Sequence, residues 1–448
     1  MQFSWLATHL EIVLISLVVL IAASFMLQQR RSPQSTAAWL LALIVMPYVA
    51  VPIFVAVGFR KRHDGPEAID FRPINSGDPV DPLDALWRSY GLPPAVGGHR
   101  LQLHVTPQEA RTALFSAVTQ ARRRIDALFY IVANDAQGRA FVEALTEKAR
   151  EGLAVRLLID RLGTLFPPTA SLRDFQEAGG TLEYFSPLVQ RPRRGHLNLR
   201  NHRKMLIVDD ERVLSGGMNI GEEYLGQGAW VDLAFTLEGP AVRSYSDVFE
   251  SDWSGLGGTE ASHPATARTG DDCVAHLIPS GPDLPHDGFH DGLVNAIHRA
   301  ERRIWIATPY FLPTDGLSEA LSIAARRGID VRVMLPRRSN QRVADFARGA
   351  YLRELSTSGA RIELFGPGMM HAKMGLIDDT GYLGSTNFDV RSMLLNFETA
   401  LAVHDPASLA ALERWYEGHA GSCTDDLAQA GTLRRIAEGL FRIGAPML

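Results

Sequence analysis

Two stretches of the 448-residue chain repeat the order His-x-Lys-x4-Asp: His202, Lys204 and Asp209 in one, His371, Lys373 and Asp378 in the other. A histidine can attack an electrophile or pass a proton near neutral pH, and a lysine ammonium can clamp negative charge. Both copies lead into a small-residue turn that ends in Asn: Ser215-Gly216-Gly217-Met218-Asn219 and Gly384-Ser385-Thr386-Asn387. Such turns can offer backbone N–H groups, here at Gly217 and Ser385, and the amides of Asn219 and Asn387 to an anionic oxygen. On a strand, His and Lys two apart share a face, and an Asp seven positions after the His falls at the strand's end. Asp209 and Asp378 are therefore expected to support the motif rather than react. A lone His-x-Lys is more often a surface pair. Two copies with identical spacing and similar turns argue instead for a nucleophile, an acid and a charge clamp in one site.

The elements that must hold these residues repeat as well. Arg122-Arg123-Arg124-Ile125 leads into an apolar run over 127–132, and Glu301-Arg302-Arg303-Ile304 leads into another over 305–312. Helical spacing follows in both: Phe141, Leu145 and Ala149, then Leu317, Ala320, Leu321 and Ala324. Each helix should stop at a glycine, Gly152 or Gly328, with strands next over 154–159 and 330–335. This order predicts two α/β halves with parallel, covered sheets in a pseudo-twofold arrangement. The expected division is an anchor over 1–62, a linker over 63–97, halves over 98–256 and 273–448, and a linker over 257–272 between them.

The anchor is read from two uncharged apolar stretches, 12–29 and 32–59, separated by Arg30 and Arg31 and stopped by Arg60, Lys61 and Arg62. Each is long enough to cross a hydrocarbon layer as a helix, which takes about 20 residues. Pro47 and Pro52 should kink the second, which leaves a shallow re-entrant hairpin as the alternative to a full crossing. No Lys or Arg precedes the first run, which argues against a cleavable signal peptide. The basic excess after the second run places the catalytic halves in the cytoplasm. A net charge of -5 weighs against a nucleic-acid binder, which usually carries a basic surplus. Two cysteines, Cys273 and Cys423, fit no zinc spacing and imply no disulfide framework. His286 and His290 lack a third metal ligand nearby. Leu433, Ile436, Leu440 and Phe441 have helical spacing and are expected to close the core or, as the second reading, to touch the membrane.

The duplicated motif resembles the phospholipase D superfamily. Longer strings narrow the resemblance to the bacterial cardiolipin synthases: Arg200-Asn201-His202-Arg203-Lys204, Asn219-Ile220-Gly221-Glu222-Glu223-Tyr224, Asn387-Phe388-Asp389-Val390-Arg391-Ser392 and Leu395-Asn396-Phe397-Glu398. Thr308-Pro309-Tyr310-Phe311 fits it too. The resemblance implies two tandem phospholipase D-like α/β/α sandwich domains behind two transmembrane helices in a bacterial inner membrane. It implies that His202 attacks the phosphorus of phosphatidylglycerol while His371 protonates the departing glycerol, then deprotonates the hydroxyl of a second phosphatidylglycerol. The opposite order of the two histidines is equally compatible with the pseudo-symmetry.

By the same pattern Asp232 and Glu398, at matching places in the repeat, are the carboxylates that orient the histidines. Lys204, Lys373, Asn219 and Asn387 would stabilise charge on the non-bridging oxygens. One departure is Val231, where the family pattern has Arg, so a phosphate or headgroup contact is expected to be missing there. No cofactor and no metal are expected, because two lysines supply the positive charge. Exchanging one phosphodiester for another is nearly neutral and needs no ATP. The expected partners are phosphatidylglycerol and anionic membrane lipids, with no nucleic acid; the oligomeric state is not legible. Water as acceptor would make the same residues a phospholipase D hydrolase, and acceptor choice is not legible either. Arg191, Arg193, Arg194, His196 and Arg200 form a basic stretch before His202 that the second half lacks. It reads equally as a headgroup lid or as a solvated loop.

Overall fold

The computed structural model describes residues 2–27, 33–57, 68–185, 199–228, 230–258, 271–427 and 429–443. In the first half the strands are β1 (Val96–His104), β2 (Arg124–Phe129), β3 (Ala154–Asp160), β4 (Thr181–Phe185), β5 (Met205–Val208), β6 (Arg212–Gly216) and β7 (Ala234–Glu238). The second half supplies β8 (Cys273–Ser280), β9 (Arg303–Ala307), β10 (Phe311–Leu312), β11 (Asp330–Pro336), β12 (Arg361–Phe365) and β13 (Met374–Ile377). It ends with β14 (Thr380–Gly384), β15 (Phe388–Asp389), β16 (Glu398–Val403) and β17 (Cys423–Thr424). Among the described residues one sheet of 15 strands runs β17-β12-β11-β9-β13-β14-β16-β8-β1-β7-β6-β5-β2-β3-β4.

Outward from the β1–β8 seam, each side follows the same course: β7, β6, β5, β2, β3, β4 on one, β16, β14, β13, β9, β11, β12 on the other. The pseudo-twofold therefore passes through an antiparallel pair in which Val96 faces Ala275 and His99 faces Cys273. Pairing is parallel only in part. β2, β3 and β4 pair parallel, as do β9, β11 and β12, each step crossing over through a helix. β5, β6 and β7 pair antiparallel, because β5 and β6 are joined by three residues, too few for the crossover a parallel pair requires.

Helices cover both faces. Ala136–Arg150 starts on Asp135, whose carboxylate accepts the Gly138 N–H, and stops at Gly152, φ 88°. It seals a core of Phe129, Phe141, Leu145, Ile159 and Phe175. Each of those phenylalanines is fully buried, contributing roughly 1.5–3 kcal/mol. Val242–Ser254 fills the opposite face with Tyr245, Phe249 and Trp253, in a core continuous between the two halves. The described part of 63–97, expected as a linker, is a docked strap. Arg72 pairs with Asp247, the Ile69 N–H donates to Asp283 O at 3.3 Å, and Trp87 Nε1 donates to Gly288 O at 2.8 Å. His290 is taken up by Asp291 and Thr314, and His286 stacks on Tyr90.

Gln2–Leu27 is a single helix, long and apolar enough over His9–Leu27 to cross a membrane. The second apolar stretch is not one helix. It is interrupted at Met46 and forms Pro33–Val45 and Pro47–Val57, 13 and 11 residues. Pro47 has no N–H to donate and disfavours helical geometry at the residue before it. Among the described residues there is thus one candidate spanning helix where two were expected. The three helices pack through Ala22, Met26, Leu43, Ala50 and Phe54. Their basic flanks, 30–31 and 60–62, lie outside the described residues.

The C-terminal helix Thr432–Ile443 departs from core closure, one of its two readings. Leu433 and Ile436 are 84% and 57% exposed, because the helix docks through buried Glu438, which pairs with Arg353 and Arg434. The side chains of Leu440 and Phe441 lie outside the described part.

Candidate active site

Both histidines sit in extended segments just ahead of a strand rather than within one: His202 and Lys204 before β5, His371 and Lys373 before β13. The opposite half holds each segment straight. The His202 N–H donates to Phe397 O at 2.9 Å, and the Phe397 N–H donates to Arg200 O at 2.9 Å. In the mirrored place the His371 N–H donates to Val231 O at 2.7 Å, and the Val231 N–H donates to Met369 O at 2.9 Å. One residue beyond each crossing stands a carboxylate. Glu398 meets His202 Nδ1 at 2.9 and 3.0 Å, and Asp232 meets His371 Nδ1 at 2.6 Å. Each half therefore supplies the carboxylate for the other half's histidine.

With Nδ1 of each ring held by a carboxylate, both histidines line a shared cavity of about 380 Å³. Tyr130, Arg200, Asn219, Tyr224, Tyr310, Asn387 and Arg391 line it with the two histidines. Lys204 Nζ donates to His202 O at 2.6 Å and lies 5.5 Å from the Tyr130 ring centre. Lys373 Nζ lies 2.8 and 3.1 Å from the two nitrogens of His371. Burial lowers the His202 pKa to about 4, with Glu398 opposing and Lys204 reinforcing the shift. Burial and then the Lys373 charge lower His371 to about 3 against the pull of Asp232. Burial also brings Lys373 down to about 8 and Lys204 well below its ordinary value. Two neutral imidazoles facing one cavity, each backed by a carboxylate and flanked by a lysine, can attack and protonate at opposite ends of one displacement.

The motif aspartates stand apart from the cavity. Asp209 accepts the N–H groups of Arg122, Arg123 and Arg124 at 2.9, 2.7 and 3.0 Å. Asp378 accepts those of Glu301, Arg302 and Arg303 at 2.8, 3.0 and 3.0 Å. Both sit at positive φ, 56° and 49°, and lock the turn after β5 or β13 to the start of β2 or β9.

Gly217 and Ser385 correct the expectation of free backbone donors. The Gly217 N–H donates to Leu233 O at 3.1 Å and the Ser385 N–H to Thr399 O at 2.9 Å, because both turns continue the antiparallel pairing beside them. Instead they support the carboxylates. A Cβ on Gly217 would stand 2.2 Å from Asp232 Oδ1, and Ser385 Oγ donates to Glu398 Oε2 at 2.5 Å. Asn219 and Asn387 do face the cavity. Asn219 Oδ1 accepts the Ile131 N–H at 3.2 Å, which leaves its NH2 group inward.

Val231 also reads differently in three dimensions. Its counterpart is Phe397, equally apolar, and both pack against the shared core. The position serves the backbone crossing, and the Val231 side chain does not line the cavity.

Three aromatic residues around the histidines carry no spacing signal: Tyr130, edge-on to His202 at 4.9 Å, and Trp230 and Tyr224 against His371 at 5.1 and 5.3 Å. Arg203, between His202 and Lys204, is fully buried and pairs with Asp252 and Asp283 at 2.8 and 2.9 Å. Its alternation with two functional residues was the one clue. Of the basic stretch, Arg200 lines the cavity; Arg191, Arg193, Arg194 and His196 lie outside the described residues.

Residues 114–253 and 293–420 match the family described as cardiolipin synthase, PLD-like domain. Cardiolipin synthase 1 of Bacillus cereus is 30% identical over 471 aligned positions, which cover 96% of this chain and 92% of that protein. Cardiolipin synthase A of Pseudomonas fluorescens is 30% identical over 86% of this chain and 85% of its own length. Among solved structures, a phosphatidylserine synthase of Haemophilus influenzae has a TM-score of 0.61 at 15% identity, covering 82% of this chain and 98% of that one, a likeness of fold.

Proposed function

The chain belongs to the cardiolipin synthase family of phospholipase D-like proteins, and from that premise we propose that it converts two phosphatidylglycerol molecules into cardiolipin and glycerol. His202 Nε2 attacks the phosphorus of the first lipid. The bond from phosphorus to the headgroup glycerol breaks, and that oxygen takes a proton from His371 Nε2. The headgroup hydroxyl of the second lipid then gives its proton to His371 while its oxygen attacks phosphorus. The phosphorus–nitrogen bond breaks, and His202 is freed. An anionic substrate beside His371 opposes the burial that keeps the ring neutral, so proton uptake accompanies binding. Glu398 and Asp232 hold the rings and balance their positive charge. Lys204, Lys373, Asn219 and Asn387 face the non-bridging oxygens.

The observation that carries this reading is the pair of histidines, each held at Nδ1 by the other half's carboxylate and flanked by a buried lysine, opening onto one cavity. The Gln2–Leu27 helix, with Leu10, Ile12, Leu17 and Leu20 exposed, suits lipid contact. We place it across a bacterial inner membrane, with the kinked helix pair over 33–57 as a second crossing and the catalytic halves on the cytoplasmic side. The test is the full-length protein in detergent with phosphatidylglycerol, which should yield cardiolipin and glycerol in equal amounts. Phosphatidic acid without cardiolipin would make water the acceptor and overturn the transferase reading.

A further inference from the structure

Cardiolipin formation brings two phosphates into one cavity, yet the paired His, Lys and Asn residues are matched to the reacting one alone. The wall carries further positive charge on one side. Arg200 and Arg391 both line the cavity, where Tyr130 packs on His202. Their counterparts in the repeat are Met369, two residues before His371, and Glu223, four after Asn219 as Arg391 is four after Asn387. The pseudo-twofold is broken here: one half-site carries two arginines against a single carboxylate, Asp389, and the other carries neither arginine. A reacting group held between the halves calls for no such imbalance, whereas a second anion held off the axis does.

The two guanidinium groups act on one another. Burial and then the Arg200 charge lower the Arg391 pKa, a cost that an anion between them would reverse. Beside them Ser392 is 1% exposed and lines the same cavity, and its hydroxyl has no hydrogen-bond partner among the described residues. A buried hydroxyl in that state suits a ligand oxygen, and guanidinium forks match phosphate oxygens two at a time.

We propose that Arg200, Arg391 and Ser392 form a binding site for the phosphodiester of the acceptor lipid. Held there, that lipid presents its glycerol hydroxyl, three carbons away, to the reacting phosphorus. The proposal rests on the transferase reading above. Water and free glycerol carry no phosphate and gain nothing from the site, so it favours a lipid acceptor over both at a common intermediate.

The experiment uses the full-length protein in phosphatidylglycerol micelles with labelled glycerol, and follows cardiolipin, phosphatidic acid and label incorporated into phosphatidylglycerol. In Arg391→Gln, and separately in Arg200→Gln, the ratio of cardiolipin to labelled phosphatidylglycerol should fall roughly tenfold or more, the scale of one lost charge-assisted contact. The share of phosphatidic acid should rise, and Arg391→Lys should fall between wild type and Arg391→Gln. If all three products fall together in both variants, or if the ratio is unchanged, the proposal is overturned while the transferase reading stands. Wild-type protein that makes no cardiolipin overturns both.

Discussion

The half-site at His202 and the half-site at His371 share a frame and differ in their walls. In both, a backbone crossing from the opposite half straightens the motif, and a carboxylate one residue on holds Nδ1. Around His202 lie Tyr130, Arg200 and Arg391; against His371 pack Trp230 and Tyr224. Both lysines reach the carbonyl of their own histidine, and Lys373 also lies against the His371 ring. The frame is made of backbone hydrogen bonds and one carboxylate per half, so any copy of the repeat reproduces it. The walls are side chains at positions where the copies have diverged. Chemistry common to both halves belongs to the frame, and discrimination among substrates belongs to the walls.

Removing the imidazoles should have the largest effect. His202→Ala and His371→Ala should each lower turnover roughly 10³-fold or more, with the double variant little worse, since the pair acts as one unit. Phosphorus found on His371 rather than His202 after an alkaline denaturing quench, in which the acid-labile phosphorus–nitrogen bond survives, would reverse the proposed order of the two. Next come the exchanged carboxylates. Glu398→Gln and Asp232→Asn should each cost roughly 10²- to 10⁴-fold with the fold intact. Imidazole resonances should change at His202 in the first variant and at His371 in the second. The reverse pattern would break the exchange between halves.

A smaller effect should appear on the alkaline side. The Lys373 ammonium, lowered to about 8 by burial, is present below that pH and lost as pH rises through it. The kcat/KM value should therefore decline above about pH 8, and Lys373→Arg, charged throughout, should remove the decline. A decline that survives in the arginine variant would assign it to another group. Smallest for turnover should be Asp209→Asn and Asp378→Asn, which keep the left-handed turn but weaken three backbone contacts. Thermal unfolding should report a loss of about 1–3 kcal/mol in each half, with activity nearly intact. A catalytic defect as deep as that of Glu398→Gln would move the motif aspartates into the reaction.

Much of this was legible because a repeat doubles its own signal. Spacing alone singled out the two histidines and lysines, and the supporting role of Asp209 and Asp378 followed from their place at a strand end. Matching positions brought out Asp232 and Glu398, but not which histidine each serves. That depends on the β1–β8 seam, which turns one half over against the other, and no local pattern encodes it. In sequence the Gly217 and Ser385 amides read as free donors because a small-residue turn carries no mark of pairing, whereas the neighbouring strand consumes those donors. Hydropathy marked the stretch over 32–59 but could not weigh one proline against the continuity of a helix. The strap over 68–95 looked like linker because its anchors, Trp87 among them, lie far apart in sequence from what they meet.

The exchange of carboxylates also sets a timetable for the nascent chain. His371 is translated 139 residues after the carboxylate that holds it, so its partner is waiting. His202 must wait for Glu398, 196 residues downstream. A ribosome that has made the whole first half has made an imidazole with no orienting carboxylate. Competence arrives in one step near the end of synthesis, when the second half closes over the first.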